Sequence, residues 1–519
     1  MTAATLTLIV LALTVVVFVW DKLPVMLVAL AVPLALWATG VLELGEAFAG
    51  FGDPTIIFIA ALFVVSEALD ASGVTAWVGG LALRLAGESR VRLLVVIMFM
   101  VALLTAFITP NGSVAALTPV VVVLAIRAKR SPSELLLPLA FGAHAGSLLL
   151  LTGSPVNLVI ADYAAEAGVG PFGLFAFAFA GLPLLVVTLL LSIFGKRLIP
   201  NRSASTSLRD LGSHPAVLSE HYAIDESDPL KMTRTLGAVE VVIPPRSEFI
   251  GDVVYPGMPT ESGRLVVVAV QHKGHHQLER HQLHPGDTIL FSGEWSDLDA
   301  AVADPGVLAV DDPEHVRRQA VPLGVGARRT LVILAAMAVL LATNAVPAAV
   351  AGLLAALAII ATRVLNVQQV YEGIAWTTVI LVGGLMSLSA AMVKSGAAQQ
   401  LADGLVSLVG DFGPYALLAG LFVVTAALGQ LISNMATAFI VIPVGLAAAT
   451  QMGVSPAPVL MAVAVFAAAA LLTPVATPAN LMVMEAAGYR FADYWKLGLP
   501  LLLLYGFVGI VVVPLVYPF

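Results

Sequence analysis

The sequence contains no cysteine and few charged side chains. The absence of Cys from its 519 residues excludes disulfide bonds, thiolate metal sites and cysteine nucleophiles. Charged residues make up only 11% of the chain and hydrophobic residues 59%, whereas about 25% of the residues of a soluble globular protein are charged. No water-soluble fold can bury so much apolar surface. Several runs reach the roughly 18 to 20 apolar residues that a helix needs to cross a bilayer, so the composition predicts a multi-spanning membrane protein.

The few charges are concentrated in one segment. Residues 201–318 contain 28 of the charged side chains, which is about half of them in less than a quarter of the chain. This stretch is predicted to be a soluble insertion between two membrane parts. We therefore predict three domains: residues 1–200, the insertion 201–322, and residues 323–519.

The basic residues outside the insertion predict the orientation of the chain. If Met1 starts outside, and if residues 91–126 form a re-entrant pair that returns to its starting side, 14 of these 15 basic residues face the cytoplasm and only Lys394 faces outside. A single crossing at residues 91–126 would invert everything downstream. The count therefore predicts a multi-pass protein of the plasma (inner) membrane, with both termini outside and a cytoplasmic insertion.

The two ends of the chain superpose when the sequence is shifted by 323 residues. Pro24 then falls on Pro347, and Asn157 on Asn480. Each copy holds five spans and a hairpin, and an odd number of crossings inverts the second copy. Inverted repeats are typical of secondary transporters, which hold their substrate near mid-membrane where the repeats meet. The predicted fold class is an all-α polytopic membrane protein of two inverted repeats, each with five transmembrane helices and a re-entrant hairpin, plus a small α+β soluble insertion.

Four polar clusters interrupt otherwise apolar spans, in two related pairs. The first pair, here called the tips, comprises residues 109–113 and 433–437; the second, here called the breaks, comprises residues 152–157 and 473–480. Irregular backbone survives at membrane depth only where it is packed in protein or lines a wet cavity. Open helix N-termini suit an anion, while unwound carbonyls and Asn or Thr oxygens suit a hard cation such as sodium. Such residues also kink ordinary membrane helices, but four clusters at related positions favour a binding site.

These clusters resemble those of the divalent anion/sodium symporter family, within the wider ion-transporter superfamily. The resemblance covers both membrane halves and is most specific at Ser433-Asn434, Ser154-Pro155 and Thr477-Pro478. It implies a secondary active transporter that couples sodium to the symport of a sulfate- or dicarboxylate-type anion, with no covalently bound cofactor. The first tip departs from the family pattern, because Thr109-Pro110-Asn111 stands where the family has Ser-Asn-Thr. In the second tip Met435 takes the third place.

The resemblance also implies the site residues. Those expected to contact the substrate are Thr109, Asn111, Ser113, Ser154, Ser433, Asn434, Thr437 and Thr477. Those expected to coordinate sodium are Asn111, Thr152, Ser154, Asn157, Asn434, Thr473, Thr477 and Asn480. Independently of the resemblance, His144 lies within an apolar span and is a candidate coupling residue. An interhelical hydrogen bond would explain this histidine equally well.

The insertion is predicted to hold a small α+β domain. Runs rich in β-branched residues at 238–243, 264–271 and 288–292 are bounded by Gly and Pro. Residues 237–302 resemble one copy of the RCK C-terminal domain, the ligand-binding domain of potassium-channel regulators. This resemblance implies a homodimer and a small regulatory ligand, with cyclic di-AMP as one candidate.

A histidine cluster lies within the same domain. It could bind a metal or sense pH, and its members are His272, His275, His276, His281 and His284. Their spacing matches no established site, and they fall in a predicted hairpin loop. We therefore expect them to be ordinary surface residues.

Two rival functions stay open at this stage. A cation/proton antiporter of the same superfamily would usually need a membrane-buried acidic pair, and no such pair is evident. A ligand-gated channel would need a selectivity-filter signature such as Thr-Val-Gly-Tyr-Gly, which the sequence lacks. The membrane clusters contain no pair of nucleophile and base and no metal constellation, so an enzyme is not expected. No nucleic-acid partner is expected either.

Overall fold

The structure is a computed structural model. It describes residues 2–20, 22–85, 89–170, 172–200, 202, 218, 222, 232–233, 235–260, 262–311, 313, 316, 323–324, 326–343, 345–409, 412–474 and 476–519. Most of residues 201–236, the first part of the predicted insertion, and Val475 of the second break lie outside the described residues. Contacts divide the chain into two compact units, of which the first comprises residues 1–67, 82–208 and 332–519, and the second residues 68–81 and 209–331.

The described residues before the insertion form a series of helices. They are α1 (Ala3–Trp20), α2 (Val25–Ala38), α3 (Leu44–Phe48), α4 (Pro54–Ala71), α5 (Val74–Leu85), α6 (Arg90–Phe107), α7 (Pro110–Arg127), α8 (Ser133–Gly146), α9 (Pro155–Glu166) and α10 (Ala178–Phe194). Proline stands at the first position of α4, α7 and α9, where its missing N–H costs no helical hydrogen bond.

The insertion forms a small antiparallel sheet. Its elements are β1 (Leu236–Val242), β2 (Val253–Val254), β3 (Leu265–His272), β4 (His275–His276), β5 (His281–Gln282), β6 (Thr288–Glu294), α11 (Trp295–Val302) and β7 (Leu308–Ala309). Five strands pair in the order β4-β3-β6-β1-β7, and β2 pairs with β5. Alternate residues of β1 point into a core that also holds Val267, Ile289 and Trp295. The three predicted strands are present, and their ends differ from the predicted ones by at most two residues.

A second series of helices follows the insertion. Its members are α12 (Ala327–Thr343), α13 (Ala348–Ala361), α14 (Val367–Gly373), α15 (Trp376–Lys394), α16 (Ala397–Val409), α17 (Pro414–Gly429), α18 (Asn434–Met452), α19 (Pro456–Ala467), α20 (Pro478–Ala487), α21 (Trp495–Phe507) and α22 (Val513–Val516). A π-helical turn, Val508–Val512, joins the last two helices.

The two series share their order and spacing. Each helix from α12 to α20 begins 322 to 324 residues after its counterpart among α1 to α9. For example, α2 begins at Val25 and α13 at Ala348. Contacts between the series also recur with the roles exchanged. Helix α8 packs on α20, and their counterparts α19 and α9 pack on each other in the same way. Helix α7 also packs on α20, and the counterpart contact joins α18 to α9. Likewise α2 packs on α15, and Phe58 of α4 lies against Gly352 of α13. This pattern is what a two-fold relation between the halves requires.

Several helices can cross a membrane. Among the described residues, those long and apolar enough are Ala3–Trp20, Leu44–Ala71, Arg90–Phe107, Trp376–Lys394, Asn434–Met452 and Trp495–Val516. Helices α16 and α17 are bent by 119° at the break between them. Other helices are apolar but shorter, and α2, α7, α10, α13 and α19 belong to this group. The chain is therefore a multi-pass membrane protein.

Candidate functional site

Each tip is the start of a helix. Only Ile108 and Thr109 separate α6 from α7, and the capping residue Thr109 makes no side-chain hydrogen bond to the first turn of α7. At the second tip the Ser433 hydroxyl accepts a hydrogen bond from the Ala436 N–H at 3.3 Å. A helix N-terminus carries a partial positive charge and unpaired N–H groups. Both tips therefore present donors suited to an anion.

Three buried oxygens at the tips have no hydrogen-bond partner among the described residues. They are Ser113 Oγ, Asn434 Oδ1 and Thr437 Oγ1. Ser113 and Thr437 are both 0% exposed and occupy equivalent positions in α7 and α18. An unsatisfied buried polar group costs about 1–3 kcal/mol, so native structures contain few of them. All three lie in the first turns of α7 and α18, at the two related tips.

The first break begins earlier than the sequence predicts. Helix α8 ends at Gly146, whereas the sequence predicts the break only from Thr152 onwards. The side-chain amide of Asn157 explains the difference, because its Nδ2 donates to the carbonyls of Ser147 at 2.8 Å and Leu150 at 3.1 Å. Those carbonyls are thus satisfied without a helix. Gly153 also needs its small size here, since a Cβ atom would lie 2.5 Å from the Ser147 carbonyl oxygen.

The second break repeats this arrangement. Asn480 Nδ2 donates to the carbonyls of Ala470 at 2.8 Å and Thr473 at 3.1 Å, which are the equivalents of Ser147 and Leu150. Asn157 and Asn480, predicted as sodium ligands, thus use their amide nitrogens to hold the unwound backbone open. The side-chain oxygen of Asn480 in turn lies beside a ring nitrogen of His144.

Two further predicted residues anchor the breaks to the tips. Thr152 Oγ1 donates to the carbonyl of Ala106 at 2.7 Å, and Thr473 Oγ1 to that of Gln430 at 3.1 Å. Both acceptors lie at the C-terminal end of the helix that leads into a tip. The hydroxyls of Ser154 and Thr477 cap α9 and α20 by accepting from the N–H groups of Val156 and Asn480.

Hydrogen bonds also join the first half to the second break. Asn111 Oδ1 accepts from the N–H of Ala479 at 3.1 Å, so the first tip caps the N-terminus of α20. His144 Nε2 lies 3.2 Å from Asn480 Oδ1 and 3.4 Å from Thr477 Oγ1. The interhelical hydrogen bond anticipated for His144 is therefore present, and it connects this buried histidine directly to two predicted ligands.

A small pocket lies between the first tip and the first break. Its lining residues are Ile59, Leu62, Phe63, Ser66, Phe107, Thr109, Thr152 and Pro155. Ser66 on α4 was not singled out from the sequence. A signal was present, however, because its repeat equivalent is Ser389, whose hydroxyl hydrogen-bonds to the Tyr163 hydroxyl. Small polar residues at equivalent positions of two apolar helices mark the faces that turn towards protein.

Gln430 is a second residue that sequence reasoning missed. It ends the helix before the second tip, and it is buried. Its Nε2 donates to the Ala469 carbonyl at 3.0 Å, and its Oε1 accepts from the Leu472 N–H at 2.8 Å. The side chain therefore joins the second tip to the second break.

The predicted site is almost free of ionisable side chains. His144 is the one ionisable member of the predicted set, and the others are Ser, Thr and Asn. Attraction for an anion must therefore come from the N-termini of α7, α9, α18 and α20. The same hydroxyl and amide oxygens, with carbonyls of the unwound breaks, are the ligands that sodium takes at broken helices.

Comparison with known proteins identifies the family. A sequence model described as citrate transporter (CitMHS) matches residues 15–444 and again residues 413–519. The chain belongs to the citrate transporter family. A relative from Escherichia coli named uncharacterized transporter YfbS is 30% identical, and the alignment covers 98% of each chain. An uncharacterized transporter of Synechocystis is 23% identical over 99% of this chain and 97% of its own length.

Other relatives of this citrate transporter family member have names that state a substrate. Sodium/sulfate cotransporter 1 of Chlamydomonas reinhardtii is 27% identical over 28% of this chain and 17% of its own length. Family membership makes the chain a membrane transporter, as its composition and repeats predict. It also supports a transport role over an enzymatic one.

Proposed function

We propose that this protein is a secondary active transporter that couples sodium entry to the uptake of a small divalent or organic anion of the sulfate or dicarboxylate type. The observation that carries the proposal is the set of buried, unpartnered oxygens at the two tips: Ser113 Oγ, Asn434 Oδ1 and Thr437 Oγ1. They lie beside helix N-termini. Relatives named sodium/sulfate cotransporters support this choice of anion and ion.

The anion binds between the two tips. First-turn N–H groups of α7 and α18 and the hydroxyls of Ser113 and Thr437 donate to its oxygens, and the Asn434 side-chain amide donates beside them. A dianion held by neutral donors and helix ends keeps a negative charge. A sodium ion next to it neutralises that charge, which makes the binding of each dependent on the other.

Sodium binds where each tip meets its break. The ligands available are hydroxyl oxygens of Thr109, Ser154 and Thr477, the side-chain oxygen of Asn434, and carbonyls of the unwound segments. Asn157 and Asn480 act here mainly as braces, because their Nδ2 groups hold those segments open. His144 acts through the second brace, since its ring nitrogen contacts the oxygen of Asn480.

The two halves are oriented oppositely in the membrane, and the insertion is cytoplasmic. This arrangement follows from an odd number of crossings per repeat and from the distribution of Lys and Arg. This orientation places Lys394 outside. The Lys394 ammonium lies 2.5 Å from the Glu46 carboxylate, which offsets the positive charge of the one basic residue on that side. The transporter alternates between two faces by moving the tip-bearing part of each half. The insertion acts as an RCK C-terminal-like regulatory domain that joins two subunits.

Uptake by reconstituted protein tests the proposal. Purified protein in liposomes is supplied with radiolabelled sulfate, succinate or citrate, with an inward sodium gradient or with choline in its place. Uptake of at least one anion that requires sodium and stops when the gradient is collapsed is expected. Uptake that is equal in choline, or that follows only an imposed proton gradient, would exclude sodium coupling.

A further inference from the structure

The second unit brings three histidines and one aspartate together at one end of its sheet. His272 Nδ1 lies 2.5 Å from Asp287 Oδ1, and His281 Nε2 lies 2.8 Å from Asp287 Oδ2. His284 Nδ1 lies 4.0 Å from the same Oδ2. One ligand atom from each of the four residues lies within 4.8 Å of every other. The sequence predicts surface residues in a hairpin loop, and His284 is 55% exposed, but the sheet brings the three histidines together around Asp287.

The four members come from three places in the fold, namely β3, β5 and the turn before β6, which holds both His284 and Asp287. Gln271 pairs with Thr288 across β3 and β6, so the next residue, His272, comes beside Asp287. His281 is held on β5 by its pairing with Val254 of β2. The turn at Pro285-Gly286 returns the chain, and Gly286 adopts a φ of 87° that only glycine takes without strain.

The carboxylate at the centre is buried and held in place. The Asp287 side chain is 1% exposed, and its Oδ2 also accepts from the His284 backbone N–H at 2.8 Å. Imidazole nitrogens of His272 and His281 lie against its two oxygens.

The three imidazole rings form a nearly regular triangle. Their centroids are 5.2, 5.2 and 5.6 Å apart. Zinc takes four N or O ligands at about 2.0–2.2 Å in a tetrahedron, which separates the donor atoms by roughly 3.3 Å. The observed donor separations bracket that value. The His284 side chain is 55% exposed, so a rotation about its side-chain bonds can bring its ring nitrogen towards the other three ligand atoms without moving the sheet.

We propose that His272, His281, His284 and Asp287 form a site for a divalent transition metal, with zinc the ion that this donor set fits best. Imidazole is a preferred ligand of zinc, copper and nickel, and four protein ligands in a tetrahedral arrangement favour zinc. Because all four positions come from the protein, the site is structural or regulatory. It ties the β3 end, the β5 strand and the turn before β6 into one element.

The same histidine-rich stretch supplies a matched control. His275 and His276 lie on β4, are exposed and do not belong to the group. Substitution of His275 removes an imidazole from the same segment but no proposed ligand. A zinc affinity that depends on the number of nearby histidines would respond to this change as much as to a change of His284.

Zinc binding to the full-length, untagged protein in detergent tests the proposal. The protein is stripped with chelator, dialysed against buffered Zn²⁺ and analysed for bound metal. One zinc per chain is expected, and Co²⁺ in its place should give the absorption of a tetrahedral site. His284→Ala and Asp287→Asn should each weaken binding by more than the about 10- to 100-fold that loss of an outer-shell partner costs, while His275→Ala should not.

The outcomes separate the proposal from adventitious binding. His284→Ala removes an exposed ring that anchors no strand, so it should keep the fold, which a thermal unfolding scan in EDTA verifies. Failure of the wild type to bind zinc in a one-to-one ratio would overturn the proposal. So would a zinc affinity that is unchanged in His284→Ala, or reduced equally in His275→Ala.

Discussion

We expect Asn434→Ala to weaken substrate binding without weakening the fold. Asn434 Oδ1 is buried and has no partner among the described residues, so its removal leaves no protein group unpaired. Alanine is a good helix former at the first position of α18, and the capping bond from Ser433 to the Ala436 N–H stays in place. The residue therefore contributes little to the stability of the ligand-free protein.

The size of the binding defect follows from the lost contacts. A hydrogen bond to a charged ligand contributes about 1.5–3 kcal/mol, and each 1.4 kcal/mol is a factor of ten in affinity. The apparent affinity for the anion should therefore fall roughly 10- to 100-fold. An unsatisfied buried oxygen costs about 1–3 kcal/mol, so its removal should leave the melting temperature of the ligand-free protein unchanged or higher.

Two assays measure these effects separately. Initial rates of anion uptake into proteoliposomes give the apparent affinity at fixed sodium, and thermal unfolding in choline chloride gives the stability of the ligand-free protein. Asn480→Ala is the matched control, because the Asn480 amide donates to two backbone carbonyls and its loss should lower the melting temperature. Unchanged substrate affinity and sodium activation in Asn434→Ala would refute the reasoning. So would a fall in stability as large as that of Asn480→Ala.

The other predictions concern the Thr437 hydroxyl, the pH dependence of stability, the orientation of the chain in the membrane and the role of the insertion. Thr437→Val replaces the unpartnered Oγ1 by a methyl group of similar size, and we expect a lower apparent affinity for the anion with no loss of thermal stability. In the loop before α21, burial raises the pKa of Asp493, but the hydrogen bonds from Arg202 and from the Arg490 N–H lower it below the usual 3.8. The pair stabilises the fold above pH 3.8 and loses this effect as the pH falls through the lowered pKa, so the melting-temperature difference between wild type and Asp493→Asn should be constant near neutrality and vanish in acid. A Cys introduced at His275 should not react with impermeant thiol reagents in intact cells and should react after permeabilisation. Labelling in intact cells would place the insertion outside and contradict the predicted orientation. Replacement of residues 205–304 by a flexible linker should leave uptake active with altered regulation, and an inserted but inactive deletion protein would contradict this.

The sequence indicates the tips and breaks because their composition conflicts with their surroundings. Pro, Asn, Ser and Thr within an apolar span cost stability unless their polar groups, or the backbone groups they free, are bonded to protein or ligand. The 323-residue offset also pairs Asn157 with Asn480 from the sequence alone. The strands of the insertion are equally visible, since β-branched runs lie between Gly and Pro.

Contacts between distant residues could not be predicted. Asn111 bonds to Ala479 across 368 residues, and His144 to Asn480 across 336, and no local pattern encodes such pairs. The early end of α8 depends on the reach of the Asn157 side chain, which competes with the helical hydrogen bonds of the carbonyls it binds.

For a related reason, the sequence raised metal binding for the histidine cluster but favoured surface residues, and it did not single out Asp287. The spacing of the histidines matches no short motif, whereas the register of β3 and β6 brings His272 beside Asp287. A spacing rule works only where all the ligands share one local element.

Protection of the tips by ligand tests the central claim most directly. The absence of native Cys makes Asn111→Cys and Ser433→Cys, both at exposed tip positions, unique targets for a thiol reagent, and Ser407→Cys on α16 is an exposed control. Alkylation rates are measured in sodium or choline, with and without sulfate, succinate or citrate. The account predicts that one of these anions slows alkylation at both tips only when sodium is present and leaves the control unchanged. Rates at both tips that no anion alters in sodium would contradict a shared site between the two halves.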